Sequence, residues 1–536
     1  MLRKTNSMLL LIGVLTLTAC TEEFLETKPT QSISAADALA SEENLKLVLN
    51  GLHRQLIDTS PLSGSTARGG EHYWIPMDDM VTGSLIHSAR GNGWFRSALQ
   101  WLRHTIETSG DTGQLWYERY HFIATSNAII NQIAELGLPL SPEINNILGQ
   151  AYAYRAWAYH KLITHYAKGY IIGNPSSDPG VPLLTSTEAP YTSAPRSSVE
   201  EIYTQIEADI NQAITYFQNA SGPSTKADLT LNAAYGIKSR VALSKGDWAT
   251  AASAAVLARE GYGLMNQSQW LSGFNSVSLP EVIWGGNVIE TETVYYASYF
   301  YYMCPTFNGS QNRGNPKLID KRMYDRIPAT DFRINMALPT APNSNSAASN
   351  DQGGSAANDP NYDNQADFLA AKAAIVAQYG MTSRHNTHPY MHVKFLQKQP
   401  GTIAPDDIIF MRSAEMYLNE IEAKIMLNDL DGARTVLQTF GSSRDTAFDA
   451  SVFTTKEQLL DQLKFQRYIE LYGEGFSYTD HIRWDQGIDL AGSGASEVLY
   501  QDGFFQAKPS VNDGWIWKIP QAEIDANPNI SPADQN

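Results

Sequence analysis

The sequence predicts an all-α protein, a helical-repeat scaffold with an irregular, loop-rich C-terminal part and a few short strands. Three observations lead there. Residues 116–133, 143–166, 199–217, 229–243 and 248–258 each carry apolar side chains at three- and four-residue spacing, the period of an amphipathic helix. Alanines recur where such helices would touch, at Ala151, Ala153, Ala156 and Ala158 and again at Ala233, Ala234 and Ala242. Small side chains let helices approach closely, while Tyr152, Trp157, Tyr159 and Tyr235 fill the outer spaces. Finally, residues 229–258 turn at Lys245-Gly246-Asp247 and residues 408–440 turn at Leu427-Asn428-Asp429-Leu430-Asp431, so each forms a helix–turn–helix unit. Stacked units of this kind bury a continuous core between neighbours.

Each unit is similar to a tetratricopeptide helix pair. Elsewhere the pattern changes. Residues 35–56 read as a helix with Leu45, Val48, Leu49 and Leu52 on one face. Residues 58–112 are rich in Gly, Ser and aromatics with weak periodicity, which predicts a loop-dominated recognition region. In residues 261–335, Tyr262, Trp270, Phe274, Trp284 and the aromatic run 295–302 fit short strands and loops. Residues 339–367 read as a polar, exposed excursion, 390–395 as a strand and 459–471 as a helix. The chain ends in loops around Trp515, Trp517 and Pro520. This organisation divides it into residues 1–19, 20–260 and 261–536.

The first part opens with the basic Met1-Leu2-Arg3-Lys4, continues through an apolar run over 8–17 and closes on Leu17-Thr18-Ala19-Cys20. It looks like the signal peptide of a bacterial lipoprotein, too short to span a membrane, with Cys20 as the lipidated first mature residue. That anchor places the rest of the chain on a membrane face outside the cytoplasm. With 39 Lys and Arg against 56 Asp and Glu, the net charge is -17, and loss of Arg3 and Lys4 makes it more negative. An acidic surface of this kind excludes broad affinity for nucleic acid. Cys20 and Cys304 are the only cysteines, so a lipidated Cys20 leaves Cys304 as a buried thiol with no disulfide.

Sugar rings present flat apolar C–H faces and hydroxyls, so they call for aromatic platforms flanked by polar groups. Two regions offer that mixture. The first holds Tyr73, Trp74, Asp78, Asn92, Trp94 and Trp101; the second holds Tyr295, Tyr296, Tyr299, Asn312 and Arg313. Catalysis is poorly supported. Glycoside hydrolysis needs two carboxylates across the scissile bond, and the adjacent Asp78-Asp79 need not converge. His388 and His392 would share a helix face, but Pro389 breaks that helix. Asp359-Pro360-Asn361-Tyr362-Asp363 has oxygens at alternate positions, yet Asn364 and Ala370 replace the Gly and Glu of an EF-hand. No cofactor is expected; only a looser calcium site stays open.

Several stretches resemble the SusD/RagB family of outer-membrane nutrient-binding lipoproteins from Bacteroidetes. They are Phe24-Leu25-Glu26-Thr27-Lys28-Pro29, Trp116-Tyr117-Glu118-Arg119-Tyr120, and the run 410–420 with Glu422-Ala423. Arg467-Tyr468-Ile469-Glu470-Leu471, Gly473-Glu474-Gly475-Phe476 and Asp480 through Arg483-Trp484 complete the pattern. The resemblance implies about four tetratricopeptide-like helix pairs and no catalytic role. It also implies delivery of oligosaccharides or peptides to a SusC-like TonB-dependent transporter. Glu22-Glu23 after Cys20 is similar to the family's surface-export signal, and the anchor inserts in outer-membrane lipid facing the exterior. Glu415, Arg467, Glu470, Glu474 and Arg483 read as structural ion pairs rather than ligand contacts. A glycan is the favoured ligand. A peptide-binding member and a structural helical-repeat adaptor are the alternatives.

Overall fold

The computed structural model describes Leu39 and residues 41–58, 69–88, 94–186, 193–223, 225–289, 296–344 and 354–536. Cys20, Glu22-Glu23, Asn92 and Tyr295 fall outside the described residues. The helices that build the scaffold are α1 (Glu42–Gln55), α2 (Glu71–Val81), α3 (Gly110–Glu135), α4 (Pro142–Tyr166), α5 (Val199–Phe217), α6 (Leu231–Lys245) and α7 (Trp248–Ala258). Later in the chain come α8 (Tyr299–Met303), α9 (Ser310–Gly314), α10 (Gln365–Gln378), α11 (Ser413–Met426), α12 (Leu430–Ser442), α13 (Lys456–Leu471) and α14 (Ser477–Arg483).

Sequence punctuation sets the ends of the repeat helices. Ser141 and Ser198 cap α4 and α5 with side-chain oxygens, and Glu201 completes a capping box at α5. Gly246 ends α6 at φ 77°, and Asp247 caps α7 immediately after. Between α4 and α5 the axes approach closely, because a Cβ on Gly149 would meet the Phe217 ring at 2.8 Å. Successive helices pack in order from α3 through α7; α7 then packs on α11, and α11 on α12 and α13. The helical stack therefore crosses residue 260 and includes helices from the C-terminal part.

Three segments depart from the sequence reading. Within 58–112 the chain forms α2, and every residue of that helix is buried. A helix enclosed on all sides shows no amphipathic period, and Pro76 with Asp78-Asp79 further disguises it. The aromatic run 295–302 contains the short helix α8 in place of a strand. Trp515 and Trp517 are core residues, although they sit in irregular backbone. The short strands do exist. One antiparallel sheet has the order β1 (Ile86–His87), β5 (Lys317–Leu318), β7 (Met391–His392), β6 (Ala337–Leu338). A second pairs β4 (Val282–Gly286) with β8 (Ile408–Arg412), and β2 (Pro179–Pro182) pairs with β3 (Arg196–Ser198).

A buried charge cluster joins these parts. Glu470, at the end of α13, accepts from Arg412 at 2.7 Å, Arg333 at 2.9 Å and Arg444 at 3.0 Å. Glu281 accepts from Arg412 and Arg444 at 2.7 and 2.6 Å, and Glu474 accepts from Arg412 at 2.7 Å and Lys394 at 2.6 Å. Asp331 pairs with Arg333 at 2.7 Å, which balances the cluster's cations and anions. Burial opposes ionisation of Glu470, but the Arg444, Arg412 and Arg333 guanidiniums outweigh it and hold the carboxyl well below its usual range. Glu470→Gln is expected to cost about 3–5 kcal/mol, because buried guanidiniums lose their counter-charge. Asp431→Ala, which removes the exposed pair with Arg434, is expected to cost under about 1 kcal/mol. Urea midpoints of the two variants check the contrast, and equal midpoints would contradict it.

Candidate functional site

The two aromatic regions, about two hundred residues apart in sequence, meet in space. The Trp94 and Tyr296 rings lie 5.9 Å apart at 72°, and Tyr301 stands 5.1 Å from Tyr296 and 6.4 Å from Trp94. Trp94 and Tyr296 are half-buried, each with part of its surface open to solvent. Behind them, Tyr302 packs 5.6 Å from Trp94 and 4.9 Å from Phe95, and Phe95 stacks on Tyr73 at 5.2 Å. The result is an aromatic ledge fastened to buried α2. Phe95 and Ala297, the residues just after Trp94 and Tyr296, adopt φ of 60° and 64°. Left-handed backbone at non-glycine residues costs about 1–3 kcal/mol and concentrates at functional sites.

The other nominated residues lie inside the fold, which corrects their reading as exposed platforms. Tyr73, Trp74 and Trp101 are 5%, 2% and 4% exposed. The Tyr73 hydroxyl donates to Asp111 at 3.0 Å, Trp74 Nε1 to Glu118 at 2.7 Å and Trp101 Nε1 to the Val81 carbonyl at 2.9 Å. Each aromatic brings its polar atom to a fixed acceptor, as buried Tyr and Trp must. Tyr299 donates to the Gly473 carbonyl at 2.9 Å, and Asn312 donates to the Phe300 carbonyl at 3.1 Å, tying α9 to α8. Arg313 stays half-exposed beside the ledge, with Nη1 on the Asn308 carbonyl and side-chain oxygen at 2.9 Å each.

The adjacent acids of α2 diverge. Asp78 accepts from or bonds His165 Nε2 at 3.0 Å, whereas Asp79 accepts from Gly475 N at 3.0 Å and from the Ser477 hydroxyl at 2.6 Å. Burial pushes the Asp79 carboxyl up to about 6 against these hydrogen bonds. Asp79 borders a cavity lined also by Tyr468, Ser477 and Asp480. In the 359–363 loop, the Asp359 carboxylate accepts from Asn343 N at 2.9 Å and Asn361 N at 3.1 Å. No group of three His, Cys, Asp or Glu suited to a metal ion occurs among the described residues. His385 bonds the Phe307 carbonyl at 3.0 Å, while His392 packs against Phe395 and Tyr472. Burial pushes the Cys304 thiol up to about 12, which keeps it protonated.

Glu415, Arg467 and Arg483 border a cavity of about 60 Å³ between α4, α6 and the C-terminal helices. Their charges are already matched. Glu415 pairs with Arg240 at 2.7 Å, Arg467 with Asp480 at 2.9 Å and Arg483 with Glu422 at 2.6 Å. On β5, sequence reasoning missed Lys317. It is buried, and its Nζ donates to the Asn315 carbonyl at 2.7 Å with no carboxylate nearby among the described residues. Burial pushes its ammonium down to about 7.

The described residues define a helical-repeat scaffold that carries a two-segment aromatic ledge. Known proteins share the fold. The SusD-like model described as "Starch-binding associating with outer membrane" matches residues 23–243, and the SusD family model matches residues 287–536. The chain belongs to the SusD/RagB family. A SusD-like protein of Formosa agariphila is 23% identical over 512 residues, spanning 90% of this chain and 92% of that protein. A SusD-like carbohydrate binding protein from Bacteroides vulgatus superposes with a TM-score of 0.74 at 23% identity, covering 92% of this chain and 98% of its own. Surface glycan-binding protein A from Bacteroides thetaiotaomicron, solved in complex with laminarihexaose, gives 0.62 at 14% identity, with 91% and 98% covered.

Two outcomes test this geometry. Trp74→Ala should lower stability by about 3–5 kcal/mol, whereas Trp94→Ala should cost only about 1 kcal/mol, read as urea midpoints. Lys317 binds its proton with a pKa near 10.5 when unfolded and about 7 when folded. Between those values the unfolded chain holds more protons, so stability rises with pH. Lys317→Met should therefore stabilise most at pH 7 or below, and its advantage should fade toward pH 10. A pH-independent difference between the two proteins would contradict this.

Proposed function

We propose that this protein is a non-catalytic, cell-surface glycan-binding lipoprotein. It is tethered through Cys20 to the outer membrane, faces the exterior and presents oligosaccharides to a SusC-like TonB-dependent transporter. The observation that carries the reading is the ledge, where Trp94 and Tyr296 arrive from distant segments and meet edge to face beside the strained backbone of Phe95 and Ala297. Aromatic surfaces of this kind stack on the apolar faces of sugar rings. Arg313 and Asn308 at its edge provide the hydrogen-bonding groups that hydroxyls need. Family membership supports the same reading, as do the carbohydrate-binding and laminarihexaose-bound relatives.

The placement of the acids supports a reading without turnover. Asp78 and Asp79 are committed to His165 and to the start of α14, so they flank no scissile bond. No helix among the described residues is long and apolar enough to cross a membrane, which is consistent with attachment through a lipid on Cys20.

A glycan array probed with the full chain in detergent should identify a bound oligosaccharide, with no hydrolysis after prolonged incubation. Trp94→Ala and Tyr296→Ala should each weaken that binding about two- to tenfold, the loss of ring contacts worth about 0.5–1.5 kcal/mol. Full affinity in both variants would move the site elsewhere. Binding of peptides with no glycan bound would replace the ligand class.

A further inference from the structure

None of the chain's 56 aspartates and glutamates falls in residues 80–106, 296–319 or 382–405. These stretches lie far apart in sequence, yet they supply β1, β5 and β7, three neighbouring strands of one sheet. Main-chain bonds join them further: Asn386 N donates to the Arg313 carbonyl and Asn308 N to the Thr402 carbonyl, both at 2.8 Å. The ledge is built from the first two stretches, through Trp94, Tyr296 and Tyr301. In a protein of net charge -17, these stretches add no negative charge of their own to the zone.

Basic residues are kept within it. Some are neutralised from outside: Arg103 by Asp111 at 3.4 Å, Lys398 by Asp406 and Asp407 at 3.7 and 3.6 Å, and Lys394 by Glu474 at 2.6 Å. Arg96, Arg313 and Arg384 have no carboxylate partner among the described residues. Arg313 is the best placed. Asn308 occupies its Nη1, which orients the guanidinium and leaves its remaining donors unused. Its charge acts on both the Tyr301 phenol and the His385 imidazole, so it stands between the ledge and the third stretch. Residues 89–93 and 290–295, which carry Arg90 and the acids Glu290 and Glu292, lie outside the described residues.

A neutral sugar needs stacking and hydrogen bonds, and carboxylates would serve it well as acceptors. Excluding them from three separate segments while keeping an unpaired arginine suits a ligand with negative charge. We infer that the glycan taken at the ledge is anionic, with a uronate carboxylate or a sulfate ester set against Arg313. A guanidinium presents paired N–H donors that match either oxygen set. This rests on the ledge being a glycan site.

The test is isothermal titration of the full chain in detergent with oligogalacturonate, alginate and sulfated galactan oligosaccharides. Each is run beside its carboxyl-reduced or desulfated counterpart. At least one anionic sugar should bind at least about tenfold more tightly than its neutral counterpart, with an advantage that shrinks as salt screens the exposed charge. Which member of the panel shows the advantage separates carboxylate from sulfate. Arg313→Gln should remove the advantage and Arg313→Lys should retain part of it, whereas Trp94→Ala should weaken both forms. Neutral counterparts binding as tightly, or an advantage untouched by Arg313→Gln in a folded protein, would overturn the charge inference and leave the glycan reading intact. No binding by any sugar of the panel would overturn both.

Discussion

The structure depends on a buried, charge-balanced cluster centred on Glu470. Ions buried at this depth lose several kcal/mol of hydration each, and only complete mutual pairing offsets that loss. The partners come from separate places: Glu281 before β4, Arg412 at the end of β8, Arg444 after α12, and Glu470 from α13. Displacing any one element strands a charge, so the elements must dock together. Trp270 donates to Glu470 at 3.1 Å and Lys394 donates to the Glu470 carbonyl at 2.7 Å, which extends the constraint into the irregular segments.

The aromatic ledge is attached to that same framework. Tyr299 of α8 bonds the Gly473 carbonyl beside Glu474, while Asp79 of α2 holds the start of α14 through Gly475 and Ser477. Stacking from Tyr73 through Phe95 to Tyr302 then carries rigidity from α2 to the ledge. The strained residues Phe95 and Ala297 persist because this packing over-determines them. A site held in advance loses less conformational entropy when it binds.

Much of the scaffold was legible in the sequence. α5 and α7 run over the residues that their periodicity marks, and α3, α4 and α6 differ by a few residues at their ends. α5 buries one stripe, so hydrophobic period and structure coincide there, whereas α4 is buried over most of its surface and was marked by its alanines and aromatics. The site was less legible. Composition singled out both aromatic regions, but Trp74 and Trp94 have the same chemistry in sequence and opposite places in the fold. What separates them is the all-round burial of α2, which erases the helical period that would have revealed it.

The sequence by itself determined the helical repeat, the acidic charge, the family signature and the aromatic supply, because each is a property of local spacing or composition. Tertiary structure alone decided which aromatics become core and which become ledge, how Glu470 gathers its three arginines, and that three acid-free stretches share one sheet. Those outcomes depend on contacts between segments hundreds of residues apart, and no local window of the chain contains both partners of such a contact.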